Sequence, residues 1–249
     1  GSNEILEFVA QCFVGEGDET VFGAQSFIVY KLATIFMGGV CKSIPMPGMK
    51  YDLDAMRDAV TDKTKVVFMT NPNNPTGCVV KQSEVENFVR SLPENVIFCY
   101  DEAYTEYQRD PVDLRGLIAE GYNVICLRTF SKIYGLAGLR IGYSYSSEEI
   151  AGYINRVREP FNVNSLAQVA ALAALDDDDF VRLSRDVNDA GRKQFEKAFE
   201  ELGLEYFSDG ANFVMVKVAD APKKFVEMQK RGVIVRPNVG YGLPDWLRI

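Results

Sequence analysis

Apolar residues return at helical spacing at the start of the chain, where Ile5, Leu6, Phe8, Val9, Cys12 and Phe13 share a stripe that Gly15-Glu16-Gly17 ends. This predicts an opening helix. Strand-like runs then alternate with helical or loop stretches: Thr20 to Gly23, Val40 to Ile44, Lys65 to Thr70, Val96 to Tyr100, Asn123 to Thr129 and Leu139 to Tyr145. Strands that alternate with helices predict a mainly parallel sheet covered on both faces. From about Ser165 the spacing is helical through Gly203. Asn212 to Val218 then reads as a strand, Pro222 to Arg231 as a helix and Val233 to Arg236 as a strand, which together predict a second, smaller unit. The acidic run Asp176 to Asp179, followed by Phe180, reads as a solvated helix start.

Composition narrows the function classes. A chain of 249 residues with 47% hydrophobic content can bury a full core, and its 25% charged content argues against disorder. The apolar segment from Phe27 to Val40 is too short to span a bilayer and contains Lys31, so no membrane partner is expected. No leader pattern opens the chain, and a cytoplasmic protein is expected. The five cysteines lack a C-x-x-C pair and mostly sit in apolar runs, which favours buried free thiols over metal ligands; no metal site is expected. A net charge of −8 disfavours nucleic acid. With no histidine in the sequence, triads and histidine acid/base schemes are excluded, so proton transfer falls to Lys, Asp, Glu, Tyr or Cys.

Ligands of open α/β sheets sit beyond the carboxyl ends of the strands, so residues that follow a strand are the candidates. Four segments qualify: Thr70-Asn-Pro-Asn-Asn-Pro-Thr-Gly77, Asp101-Glu-Ala-Tyr104, Thr129-Phe-Ser-Lys132 and Gly135-Leu-Ala-Gly-Leu-Arg140. Each alone has an ordinary explanation as a turn, a cap or a surface pair. Taken together and in this order, they resemble the fold-type I aminotransferases, with the N-P-x-N-P-T-G, D-E-A-Y and S-K-x-x-x-L-A-G-L-R motifs nearly intact.

The resemblance implies pyridoxal 5'-phosphate (PLP) as cofactor, held as an imine on Lys132, which would also carry the proton during catalysis. It implies Asp101 against the pyridine nitrogen, where a carboxylate favours the protonated ring. Asn74 and Tyr104 would hold the phenolic oxygen, and Ser131 and Arg140 the phosphate, joined by the backbone N–H groups of Ser2 and Asn3 at a helix start. Phe27 would stack on the ring. The implied fold is α/β, a fold-type I PLP-transferase with a mainly parallel sheet sandwiched by helices and a smaller C-terminal α+β domain. Its partial PLP-binding domain would cover 1–164, and a linking helix with the partial small domain 165–249.

Within that group, Arg128 to Tyr143, Pro160-Phe-Asn-Val-Asn164, Val233-Ile-Val-Arg-Pro237, Tyr241-Gly-Leu-Pro244 and Leu247-Arg-Ile249 are closest to the histidinol-phosphate aminotransferases. This implies amino transfer between L-histidinol phosphate and 2-oxoglutarate in a homodimer, with Arg236 and Arg248 as the substrate-anion arginines. Other PLP enzymes of this fold, such as aromatic aminotransferases or threonine-phosphate decarboxylases, share the cofactor residues. A non-catalytic regulatory module is the more distant alternative, and no basic helix-turn-helix segment accompanies it here. Compared with the family, the chain starts at an internal motif and stops directly after Leu-Arg-Ile, as a fragment would, and Asn3 stands where Asp is usual.

Overall fold

The computed structural model describes residues 1–249 and contains two sheets. The first segments in chain order are α1 (Ser2–Phe13), β1 (Glu19–Gly23), α2 (Val29–Phe36), β2 (Val40–Ile44), α3 (Leu53–Asp58), β3 (Thr64–Thr70), α4 (Gln82–Ser91) and β4 (Ile97–Asp101). They are followed by α5 (Arg115–Ala119), β5 (Val124–Thr129), β6 (Gly142–Ser146) and α6 (Glu148–Val157). The six strands align as β2-β1-β3-β4-β5-β6, all parallel except β6, which runs antiparallel to β5. The expected mainly parallel sheet is present.

Strand parity sorts the core into two layers. On one face Val66, Phe68, Ile97, Cys99, Ile125 and Leu127 pack against α1, α2 and α6. The intervening residues Val67, Met69, Phe98, Tyr100, Val124 and Cys126 pack against α3, α4 and α5 on the other. Successive side chains of a strand point to opposite faces, so a central strand covered on both sides must be apolar at every position. Phe68 is 0% exposed, and its ring stacks on Tyr30 with centroids 5.0 Å apart. Phe68→Ala should lower stability by about 3–5 kcal/mol; in a urea titration the midpoint should fall with little change in slope.

The C-terminal third contains α7 (Ser165–Leu175), α8 (Asp178–Glu201), β7 (Tyr206–Phe207), β8 (Met215–Lys217), α9 (Ala221–Lys230), β9 (Arg236–Asn238) and β10 (Leu243–Arg248). Its four strands form an antiparallel sheet ordered β7-β8-β10-β9. The stretch read as one helical pattern is two helices. Asn164 caps α7 by accepting the Ala167 N–H at 2.8 Å, and Asp177 caps α8 by accepting that of Phe180 at 3.0 Å. The acidic run is therefore a helix start. Three strands begin later than expected: β6 at Gly142 rather than Leu139, β8 at Met215 rather than Asn212, and β9 at Arg236 rather than Val233, because Val233 donates its N–H to the Met228 carbonyl at the end of α9. Cys78, Cys99 and Cys126 are buried, while Cys12 and Cys41 are only partly so. No helix is long and apolar enough to cross a membrane.

Candidate active site

The carboxyl ends of β3, β4 and β5 open into a cleft of about 180 Å³. Ser2, Asn3, Phe27, Asn74, Asp101, Tyr104, Ser131, Lys132 and Arg140 all line it, and Thr70, Ala103 and Thr129 complete the wall. The sequence reading assigned no role to these last three, although Thr70 and Thr129 are the final residues of their strands. A larger groove of about 640 Å³ lies at the opposite end of the sheet around Val96, Phe98 and Asn123. It is lined by two carboxylates, Glu94 and the Glu120 that pairs with Arg90 at 2.6 Å, and by no lysine or arginine, so it lacks the mixture of cationic and anionic groups that converges on the smaller cleft.

Asp101 follows the parity of Ile97 and Cys99 and so enters the cleft from beneath, 4% exposed. Burial pushes its carboxyl up to about 6, against the opposing pull of the Ala103 N–H (3.1 Å), the Tyr30 hydroxyl (3.2 Å) and the positive charge of Lys132. A buried carboxylate in that condition gains from a cationic N–H partner. Glu102, of opposite parity, points away from the cleft. It is 0% exposed, pairs with Arg128 Nε at 2.8 Å and accepts the Tyr145 hydroxyl at 2.9 Å, which ties together the ends of β4, β5 and β6.

Lys132 sits on a tight loop after β5. The Ser131 N–H bonds to Thr129 Oγ1 at 3.1 Å, Gly135 N–H to the Lys132 carbonyl at 2.9 Å, and Leu136 N–H to the Phe130 carbonyl at 3.0 Å. Its residue surface is exposed, yet Nζ reaches into the cleft, 5.4 Å from the centre of the Tyr104 ring. Desolvation there lowers the pKa of the amine, helped by the positive charges of Arg248 and Arg140 and opposed by Asp101. The side chain is therefore more readily neutral, and so more nucleophilic, than a free lysine.

One end of the cleft is built to attract an anion. The first N–H groups of α1 have no partner within the helix, and the helix dipole adds positive potential there. The Asn3 side chain turns back to Glu7 Oε1 at 2.7 Å, so Asn3 offers the cleft its backbone. Gly142 makes this approach possible, since a Cβ there would lie 2.7 Å from Ser2 N and 2.6 Å from the Arg128 carbonyl oxygen. Arg140 stands beside them with φ 57°, a left-handed conformation unusual for a non-glycine residue; its Nη1 is 3.4 Å from Ser131 Oγ.

Asn74 hangs from a loop braced by Asn73, which accepts the Tyr51 hydroxyl at 2.8 Å and donates to the Gln25 carbonyl at 2.7 Å. The Asn71–Pro72 and Asn74–Pro75 bonds of this loop are cis. Arg248 donates from Nη1 to Asn74 Oδ1 and lies 4.9 Å over the Phe213 ring, which meets Tyr104 edge to face. Burial drives the Tyr104 phenol well above its ordinary pKa, opposed by the charge of Arg248. Arg236 is not among the cleft-lining residues, but it sits directly opposite Arg248 in the β9–β10 ladder, which places both side chains on the same face of the small sheet.

Known proteins share the sequence and the fold of this chain. A family model described as aminotransferase class I and II matches residues 1–249. The chain is 42% identical over 250 residues to a histidinol-phosphate aminotransferase of Akkermansia muciniphila, covering 100% of this chain and 69% of that one. It is 47% identical over 253 residues to histidinol-phosphate aminotransferase 2 of Hydrogenovibrio crunogenus, covering 100% and 68%. Among solved structures, histidinol-phosphate aminotransferase from Sinorhizobium meliloti in complex with pyridoxal-5'-phosphate superposes with a TM-score of 0.90 at 29% identity, covering 100% of this chain and 70% of that one. With its whole length matched by the family model and by these relatives, the chain belongs to the class I and II aminotransferases.

Proposed function

We propose that this chain transfers an amino group between L-histidinol phosphate and 2-oxoglutarate with PLP as cofactor. The observation that carries the proposal is the convergence of Asp101, Asn74, Tyr104, Ser131, Lys132, Arg140 and the start of α1 on one cleft. Its two ends fit the two ends of the cofactor: a buried carboxylate for the pyridinium, and a helix N-terminus with a guanidinium for the phosphate. When bound, PLP supplies an electron sink for the pair released from the substrate's Cα–H bond.

In this reading Asp101 keeps the ring nitrogen protonated, and Asn74 and Tyr104 donate to the phenolic oxygen. Ser131, Arg140 and the Ser2 and Asn3 amides hold the phosphate, and Phe27 covers the ring. Lys132 would hold the cofactor covalently, and its Nζ, when free as the neutral amine, would be the base that moves the substrate's Cα proton. A lowered pKa suits that exchange, because the amine must be neutral to accept a proton.

The chain is acidic, with a net charge of −8, while both substrates are anions, so attraction has to be local. Arg236 and Arg248 supply it. Like charges held opposite each other on one sheet face repel, and an anion between them removes that cost. Homologues named histidinol-phosphate aminotransferase support the amino donor. We place the protein in the cytoplasm as a homodimer, a pairing that would cover the exposed Leu32, Phe36, Leu166 and Val169.

The decisive experiment mixes the PLP-loaded protein with L-histidinol phosphate and follows the visible band. Rapid loss of the band, reversed by 2-oxoglutarate, is the expected result. Loss only with aromatic amino acids, or release of carbon dioxide from a phospho-amino acid, would assign another substrate class. In the same assay Arg248→Ala should weaken substrate binding by about 10–100-fold, the range for a lost charge-assisted pair, while the cofactor's visible band persists. An unchanged half-reaction would remove Arg248 from the substrate site.

A further inference from the structure

Tyr30 belongs to none of the recognisable motifs, yet it touches two of the cleft's working parts. It lies in the first turn of α2, 0% exposed, with its ring stacked on Phe68 at an interplanar angle of 5°. Its hydroxyl donates to Asp101 Oδ2 at 3.2 Å. Its ring meets Phe27 edge to face, at 5.9 Å and 88°, and its backbone N–H bonds to the Phe27 carbonyl at 3.1 Å. Thr34 Oγ1 donates to the Tyr30 carbonyl at 2.7 Å and lies 2.7 Å from Thr20 Oγ1, so α2 is pinned to β1 at this turn.

Packing alone does not call for the hydroxyl. A phenylalanine would fill the space against Phe68 and Phe27, whereas a buried hydroxyl is costly unless it is paired. Asp101 accepts it at 3.2 Å, with the Thr70 hydroxyl as a second polar neighbour. Resting on the proposed cofactor reading, we propose that Tyr30 is a positioning residue that holds Asp101 ionised and aimed into the cleft while it buttresses Phe27 from behind. One side chain thereby sets the carboxylate at the ring nitrogen and the aromatic over the ring face in a common frame.

A phenol suits this task. It is a neutral donor, and burial raises its pKa further above neutrality, so it donates throughout the working range. A histidine donor would titrate within that range, and the chain contains none. The other titratable groups facing Asp101 are Cys99 and Glu102 on its own strand segment, Tyr104 after it, Tyr51 ahead of β3 and Lys132 after β5. Lys132 is the one cation in that set. It is also the group that leaves Asp101's neighbourhood electrically altered when it reacts, which gives a fixed neutral donor particular value.

The test is Tyr30→Phe in the full chain, with two measurements. In the unloaded protein labelled with carbon-13 at aspartate carboxyls, the Asp101 resonance is identified by its loss in Asp101→Asn and titrated. Tyr30→Phe should move its midpoint up by about one pH unit, the size expected for a lost hydrogen bond to a charged group. In PLP titrations between pH 5 and 9, the acid limb of affinity should move up by the same interval. That would weaken binding about tenfold on the limb and leave it unchanged at pH 9. In an Asp101→Asn background, Tyr30→Phe should leave PLP affinity unchanged at every pH.

An unmoved carboxyl titration would overturn the proposal. So would a uniform loss of PLP affinity at every pH that persists without the Asp101 carboxylate, which is the signature of a purely structural role. If the wild-type chain failed to bind PLP, the cofactor reading would fall, while the carboxyl titration would still decide whether Tyr30 holds Asp101.

Discussion

Lys132→Ala should slow amino transfer from L-histidinol phosphate by about 10⁴-fold, because one side chain serves both as the attachment point and as the proton carrier. The fold should hardly notice. Lys132 is an exposed residue on a loop fixed by the Thr129 hydroxyl and by backbone bonds at Phe130 and Gly135, and such substitutions usually cost less than about 0.5 kcal/mol. Desolvation first, then Arg248 and Arg140, lower its pKa, so near neutral pH a larger fraction is the free amine than for a surface lysine. Single-turnover spectrophotometry measures the rate. Borohydride treatment of the loaded wild type, followed by digestion with trypsin, should place the cofactor's mass on residues 129–140, with cleavage at Lys132 blocked. Mass on any other lysine, or a variant that turns over at the wild-type rate, would sink the assignment of Lys132.

Much of this site is legible in the sequence because its residues sit at positions that local rules identify. Asp101, Thr129 to Lys132 and Asn74 follow apolar runs, and such runs become central strands whose carboxyl ends face a ligand in an open sheet. What escaped is what depends on pairing at a distance. β10 carries Pro244 and Asp245 and has no clear alternation; it is a strand because Trp246 and Leu247 are buried between β8 and β9. Val233 to Val235 have strong strand propensity, but Ile234 is 78% exposed because the end of α9 takes the backbone first. Tyr30 has the spacing of an ordinary core residue, and only the fold brings its hydroxyl to Asp101 across 71 positions of chain. The Arg236–Arg248 juxtaposition likewise exists only once β9 and β10 are in register.

Asp101→Asn should make the unloaded protein more stable and the loaded protein worse at its task. The wild-type carboxyl is 4% exposed and titrates at about 6 in the folded chain, against an ordinary 3.8. Between those two values the folded state binds more protons than the unfolded state, so stability falls as pH rises from about 4 to about 6, and the full cost persists above that. Two pH units correspond to about 3 kcal/mol, an upper bound because neighbouring dipoles relax. Glu102 and Glu106 also have raised values, Glu106 to about 7, and contribute slopes of the same sign. The informative quantity is therefore the difference between wild type and variant. That gap should be near zero at pH 4 and reach about 2–3 kcal/mol in favour of Asn by pH 7, measured by urea unfolding of the cofactor-free proteins. With PLP present the gap should close, because Asn cannot balance a protonated ring nitrogen: affinity should fall about 100-fold, which removes up to about 2.7 kcal/mol of the protection that cofactor gives the wild type. The carboxylate would then be a group that folding tolerates only because a cation is to be seated against it. A variant that is no more stable when empty, or that holds PLP as tightly as wild type, would show that Asp101 is not that group.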